Sequence, residues 1–127
     1  MAIHQLRPRR KVTGSRYITA RGKKLREMGN EPTLPSIAED KFKHVRTMGG
    51  NDKVRRMSAL KINAIDPKTR KAVVATMKNV VENPANRHYV RMNALTKGAI
   101  VDTDKGKVRI TSRPAQDGCV NGVIVLN

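Results

Sequence analysis

The 127-residue sequence predicts a mainly β protein, a small antiparallel β-barrel-like body with a long, extended basic arm at its N-terminus. Three observations predict it. Residues 1 to 26 carry nine cations and no acid, and their apolar residues follow neither period 2 nor period 3.6. From about residue 37 onward, apolar and polar residues alternate, or β-branched residues gather in runs of strand length. Short clusters of Asp, Asn, Gly and Pro punctuate those runs at regular intervals, as in small all-β folds.

The arm holds Arg7, Arg9, Arg10, Lys11, Arg16, Arg21, Lys23, Lys24 and Arg26, interrupted by Pro8, Gly14 and Gly22. Its apolar residues Ile3, Leu6, Val12, Ile18 and Leu25 cannot bury enough surface to fold alone. Uncompensated charge of this density repels itself, so the arm is expected to order when it meets a polyanion. Asn30 to Ser36 reads NEPTLPS, and its two prolines suit a hinge. Residues 1–36 are therefore expected as arm and hinge, and residues 37–127 as the body. Of the 28 Ile, Leu, Val and Phe residues, 22 fall in that body, which must build its core from them.

Within the body, Gly49-Gly50-Asn51-Asp52 separates two early strands. Leu60 to Ala64 alternates, and Asp66-Pro67-Lys68-Thr69 has the residues of a type I turn, joining it to the β-branched run Val73 to Val81. One short helical turn is expected over Asn83 to His88, with Asn83 as cap and Pro84 at the first helical position. Ala99 to Thr103 and Lys107 to Ser112 flank the turn Asp104-Lys105-Gly106, where glycine supplies a positive φ. Arg113 to Gly118 forms a last turn before the strand Val120 to Leu126. The six methionines are expected to fill gaps in the core, and Cys119 to be a small core residue.

Charge and composition narrow the function. Lys and Arg number 27 against 10 Asp and Glu, a net charge of +17. No apolar run is long enough for a membrane span, and charge stands where a signal peptide would need its apolar segment, so an intracellular, reducing setting is expected. A membrane-surface arm would carry an amphipathic stripe with Trp or Phe; there is no Trp and one Phe. Nucleic acid is the better polyanion. With Tyr17, Phe42 and Tyr89 the only aromatics, base stacking is scarce, and recognition must rest on phosphates, sugars and shape. Arginine forks suit the closely set phosphates of folded RNA. A DNA-packaging protein would share the charge and would bind duplex DNA as well as structured RNA.

Catalysis finds no constellation. His4, His44 and His88 are scattered, with no i, i+4 pair and no neighbouring Cys, so neither a metal site nor a cofactor is expected. Gly49-Gly50 lacks the Gly-Lys-Ser/Thr that would complete a phosphate-binding loop. Asp102 and Asp104 read as turn residues. An RNA-modifying enzyme would place an acid or histidine in a deep pocket, and none is expected.

The arm with its Arg-Lys blocks, VRTMGGNDKVR over Val45 to Arg55, VVENPANRHYVRMN over Val80 to Asn93, LTKGAIV over Leu95 to Val101 and VRITSRPAQDGCVNGVIVLN to the C-terminus together resemble the archaeal form of the small-subunit ribosomal protein S-eight-e family. The resemblance covers almost the whole chain, and NPANR, TKGAI and SRPAQDG in that order are specific. It implies a barrel-like body with a basic extension, small-subunit ribosomal RNA and other small-subunit ribosomal proteins as partners, a cytoplasmic location in the small ribosomal subunit, and no catalysis, cofactor, membrane or small-molecule substrate. A eukaryotic branch acts in large-subunit assembly, so an assembly role is the alternative within the family. Besides the nine arm cations, the expected RNA-binding residues are Asn51, Lys53, Arg55, Asn86, Arg87, Arg91, Lys97 and Arg113.

Overall fold

A meander of five successive antiparallel strands has its first and last strands running the same way, so it can close only through a parallel pair. This chain closes that way. The computed structural model describes residues 7–18 and 20–125, which fall into two units, Met1–Pro32 and Thr33–Asn127. In the second unit β1 (Ser36–Ile37), β2 (Lys41–Arg46) and β3 (Asp52–Ala59) form one sheet in the order β1-β3-β2. β4 (Lys61–Ile65), β5 (Ala72–Glu82), β6 (Ile100–Thr103), β7 (Gly106–Ile110) and β8 (Asn121–Ile124) form a closed barrel. Two one-turn helices, α1 (His88–Arg91) and α2 (Pro114–Asp117), lie between strands.

The sequence's turn residues do what their chemistry allows. Asp66 accepts the Lys68 N–H (3.0 Å) and the Thr69 hydroxyl (2.8 Å), which fixes the β4–β5 hairpin. These bonds hold the Asp66 carboxyl below its ordinary range, the backbone bond from Lys68 contributing most. Asp104 accepts the Thr76 N–H at 3.0 Å and ties the β6–β7 turn to β5. The barrel's antiparallel seams follow from these hairpins. Its parallel seam pairs Asn63 with Asn121, Ala64 with Gly122 and Ile65 with Val123, and the Asn63 amide donates to the Asn121 side chain at 3.1 Å.

Alternation then fills the barrel. Ile62 and Ala64 on β4, Ala75, Met77 and Val80 on β5, Val101 on β6, and Val108 and Ile110 on β7 are buried, joined by Ala59, Leu95, Ala99 and Val120. Burial of each large aliphatic contributes roughly 1.5–3 kcal/mol. A five-stranded barrel is narrow, and small residues relieve it. A Cβ on Gly122 would lie 2.6 Å from Val108 Cγ1 and 2.8 Å from the Arg109 carbonyl oxygen.

Several expectations are corrected. The helical turn starts at His88, because Asn83 accepts the Ala85 N–H to make a separate turn and Asn86 accepts the His88 N–H at 2.9 Å. The Arg113 to Gly118 turn contains a helix, begun by Pro114 and ended by Gly118 at φ 71°. Of the described methionines only Met77 is in the core; Met48, Met57 and Met92 are exposed. Cys119 is only partly buried, and its sulfur lies 3.6 Å from the Asn121 amide. Met1, His4 and Leu126, and with Leu126 the end of the expected last strand, lie outside the described residues.

Because Gly122 faces both backbone and the Val108 methyl at these distances, Gly122→Ala is expected to destabilise the body by about 1–3 kcal/mol in urea unfolding. An unchanged midpoint would contradict this packing.

Candidate nucleic-acid interface

The first unit is built around its own cations. Gly14, at φ 83°, closes a turn in which the Lys11 N–H donates to the Ser15 carbonyl (2.8 Å) and Arg10 Nη1 donates to the Gly14 carbonyl (2.9 Å). Tyr17 stands beneath Arg7 and Lys11, whose charged groups lie 4.3 Å and 5.6 Å from its ring centre, a role that its lone position in the arm did not signal. The buried Glu27 takes both terminal nitrogens of Arg21, accepts the Lys24 N–H at 3.2 Å, and raises the Arg21 pKa, chiefly through the side-chain hydrogen bond. Arg7, Arg9, Arg10, Lys11, Arg16, Arg21, Lys23, Lys24 and Arg26 are all exposed. Arg7, Arg9, Arg16, Arg21, Lys23 and Tyr17 line an open cleft of about 580 Å³. Glu27 also lines it, so an acid does border a cavity, engaged by Arg21.

In the second unit, Asn83 joins two cation-bearing turns. Its amide donates to the Ala94 carbonyl (3.2 Å) and its oxygen accepts the Thr96 hydroxyl (2.9 Å), while Pro84 lies 3.5 Å from where a Cβ on Gly98 would stand. Arg87 and Arg91 on one turn and Lys97 on the other are exposed. Asn86 is exposed as well, with its carbonyl engaged at the start of α1. Asn83 itself is buried, so this asparagine shapes the surface and presents nothing to a ligand.

The third group lies on the β2–β3 ribbon. Lys43 pairs with Arg55, Val45 with Lys53 and Arg46 with Asp52. Asn51 closes the tip. Its carbonyl accepts the Thr47 N–H (2.6 Å) and hydroxyl (2.8 Å), and its amide donates to the Met48 carbonyl at 3.3 Å, so that amide is partly engaged within the turn. Arg113, exposed at the head of α2, donates to Gln116 Oε1 at 3.3 Å. Alternation sends the two arginines of β3 opposite ways. Arg55 stays accessible, whereas Arg56 is 8% exposed, pairs with Asp40 at 2.7 Å, donates to the carbonyls of Ser58 (3.3 Å) and Gly118 (3.2 Å), and stacks 4.7 Å from the Phe42 ring centre. Sequence reasoning missed this anchor, although Arg-Arg in an alternating strand signals that one of the two points inward.

Arg21–Glu27 and Arg56–Asp40 are the two ion pairs among the described residues; the remaining described cations have no acidic partner within reach. Comparison with known proteins gives this surface a setting. The model of the Ribosomal protein S8e family matches residues 4–125. The chain belongs to the S8e family. Relatives named small ribosomal subunit protein eS8 include those of Methanobrevibacter smithii (45% identical, 98% of this chain and 100% of the relative), Nanoarchaeum equitans (46%, 96% of each) and Methanosarcina barkeri (49%, 92% of this chain and 94% of the relative). This S8e chain has no group of three His, Cys, Asp or Glu able to hold a metal among its described residues, and none of its described helices is long and apolar enough to cross a membrane.

Arg56→Ala is expected to cost about 1–3 kcal/mol in urea unfolding, since it frees two buried carbonyls and Asp40, the Asp40 share being reduced by its exposure. A loss below about 0.5 kcal/mol would contradict the anchoring role.

Proposed function

We propose that this S8e chain is a structural constituent of the small ribosomal subunit, located in the cytoplasm, where it binds and stabilises folded small-subunit rRNA through its basic arm and polar loops, beside other small-subunit ribosomal proteins and without catalysis. The observation that carries the reading is the abundance of exposed, unpaired cations: nine in residues 7–26, of which Arg21 alone has an acid, and further ones on the Asn83–Gly98 turns and the ribbon. The names of its relatives support the ribosomal setting.

The physics is counterion release. Each arm cation that meets a phosphate frees a condensed counterion, which steepens the fall of log K with log salt by roughly 0.7–0.9. Residues 1–36 act as arm and hinge, threading between RNA helices whose phosphates approach closely, and residues 37–127 dock a preformed RNA shape. Arginine dominates the arm because its fork bridges two phosphate oxygens. Asn86, Arg87, Arg91, Lys97, Arg113 and the tip residues Asn51, Lys53 and Arg55 add contacts that fix register on the RNA.

Deleting residues 1–26 is expected to weaken binding to small-subunit rRNA and to flatten its salt dependence by several units of slope, leaving the far-UV spectrum of the body strand-like. A slope unchanged by the deletion, or equal affinity for duplex DNA, would overturn the reading.

A further inference from the structure

We propose that one face of the β2–β3 ribbon, carrying Lys43, Lys53 and Arg55, is a phosphodiester-binding surface that the body uses in addition to the arm; this rests on the reading that the chain binds small-subunit rRNA. The argument starts from register. Lys43 stands directly opposite Arg55, and Lys53 sits diagonally from Lys43, opposite Val45. Cross-strand neighbours in an antiparallel pair have Cβ atoms about 4.5–5.5 Å apart, and diagonal ones about 7–8 Å apart. Like charges at these separations destabilise a sheet. None of the three makes an ion pair or a side-chain hydrogen bond among the described residues.

The opposite face of the same ribbon shows that the imbalance is local. There Arg46 stands opposite Asp52, and Arg56 is paired with Asp40 and stacked on Phe42. One face thus sets an acid opposite Arg46 and pairs Arg56 with another, whereas the other holds three cations and no acid. The ribbon continues at its edge into a groove of about 440 Å³, lined by Lys53, Val54, Arg55, Ala115 and Gln116, with Arg113 held at its rim by Gln116. Alternate residues on a strand lie about 7 Å apart, so these cations can meet separate phosphates of one backbone run. The apolar residues of this face, Val45 and the exposed Met57, are few beside its three cations, which suits a phosphate chain better than a protein partner, whose interface core would be apolar. Repulsion that weakens the free ribbon is relieved when phosphates lie across it.

Full-length variants test the sign of both effects. In the free chain at low salt, Lys43→Gln is expected to raise the thermal midpoint by about 1–3 °C, because it removes repulsion by Arg55 and Lys53. Against deproteinised archaeal small-subunit rRNA, the same variant is expected to bind about 3- to 10-fold more weakly, with a log–log salt slope shallower by roughly 0.7–0.9. Arg46→Gln, the same loss of charge on the opposite face, should leave the slope near the parental value and should not raise the midpoint, because Arg46 stands opposite Asp52. A Lys43→Gln variant that keeps the parental slope, while the parent binds steeply through its arm, overturns the ribbon proposal alone. A variant that loses affinity and also stability marks Lys43 as structural and overturns it too. A parent with no preference for small-subunit rRNA over duplex DNA overturns the functional reading and this surface with it.

Discussion

Positive charge without internal compensation is the constraint on which the rest of this molecule turns. The chain has 27 cations and 10 acids, and half of the acids bond to backbone N–H groups. Glu27 accepts the Lys24 N–H, Asp40 that of Leu60, Asp66 that of Lys68, Asp104 that of Thr76 and Asp117 that of Arg113. Carboxylates used in this way fix turns and helix starts. Only Glu27 and Asp40 also neutralise a cation among the described residues. Half of the acids therefore shape the backbone, and most of the described cations are left without an acid.

The barrel makes that arrangement tolerable. Its core is narrow and filled by residues such as Ala64, Ala75, Ala99 and Val108, and Gly122 admits the close approach at the parallel seam. Alternation places one side of each barrel strand in this core, so the cations of those strands stay outside. Asn83, buried and fully bonded, draws two turns together and so groups Arg87, Arg91 and Lys97 without burying any of them. In the proposed rRNA binding, the scaffold's contribution is to hold charges at fixed spacing, which a loose basic tail cannot do.

Much of this was legible in the residues. Period-2 alternation located β4 and β7, β-branched runs located β5 and β8, and the Asp104 turn placed β6 before β7; Asp66, Asp104 and Gly106 marked the turns because those side chains and that φ are needed locally. The basic arm was legible as composition. What stayed hidden depends on partners distant in sequence. Nothing local distinguishes Arg56 from Arg55 until Asp40, Phe42 and Gly118 surround it. Asn83 reads as a helix cap until Ala94 and Thr96 arrive, and the His88 N–H at the start of α1 is accepted by Asn86 instead. The methionines read as core because their chemistry is apolar, yet the barrel core takes Met77 while Met48, Met57 and Met92 are exposed. The charge on the ribbon face needs the β2–β3 register, which a sequence does not state.

The central claim is that this charge is unbalanced within the chain. The most direct measurement is the thermal midpoint of the free, full-length protein as KCl is raised from about 20 to 500 mM, over which the screening length falls from beyond the spacing of neighbouring charges to a few ångströms. A midpoint that rises by several degrees is the predicted result, because salt relieves self-repulsion. A midpoint that stays level or falls would mean that the cations are satisfied by partners inside the fold, and would contradict the account.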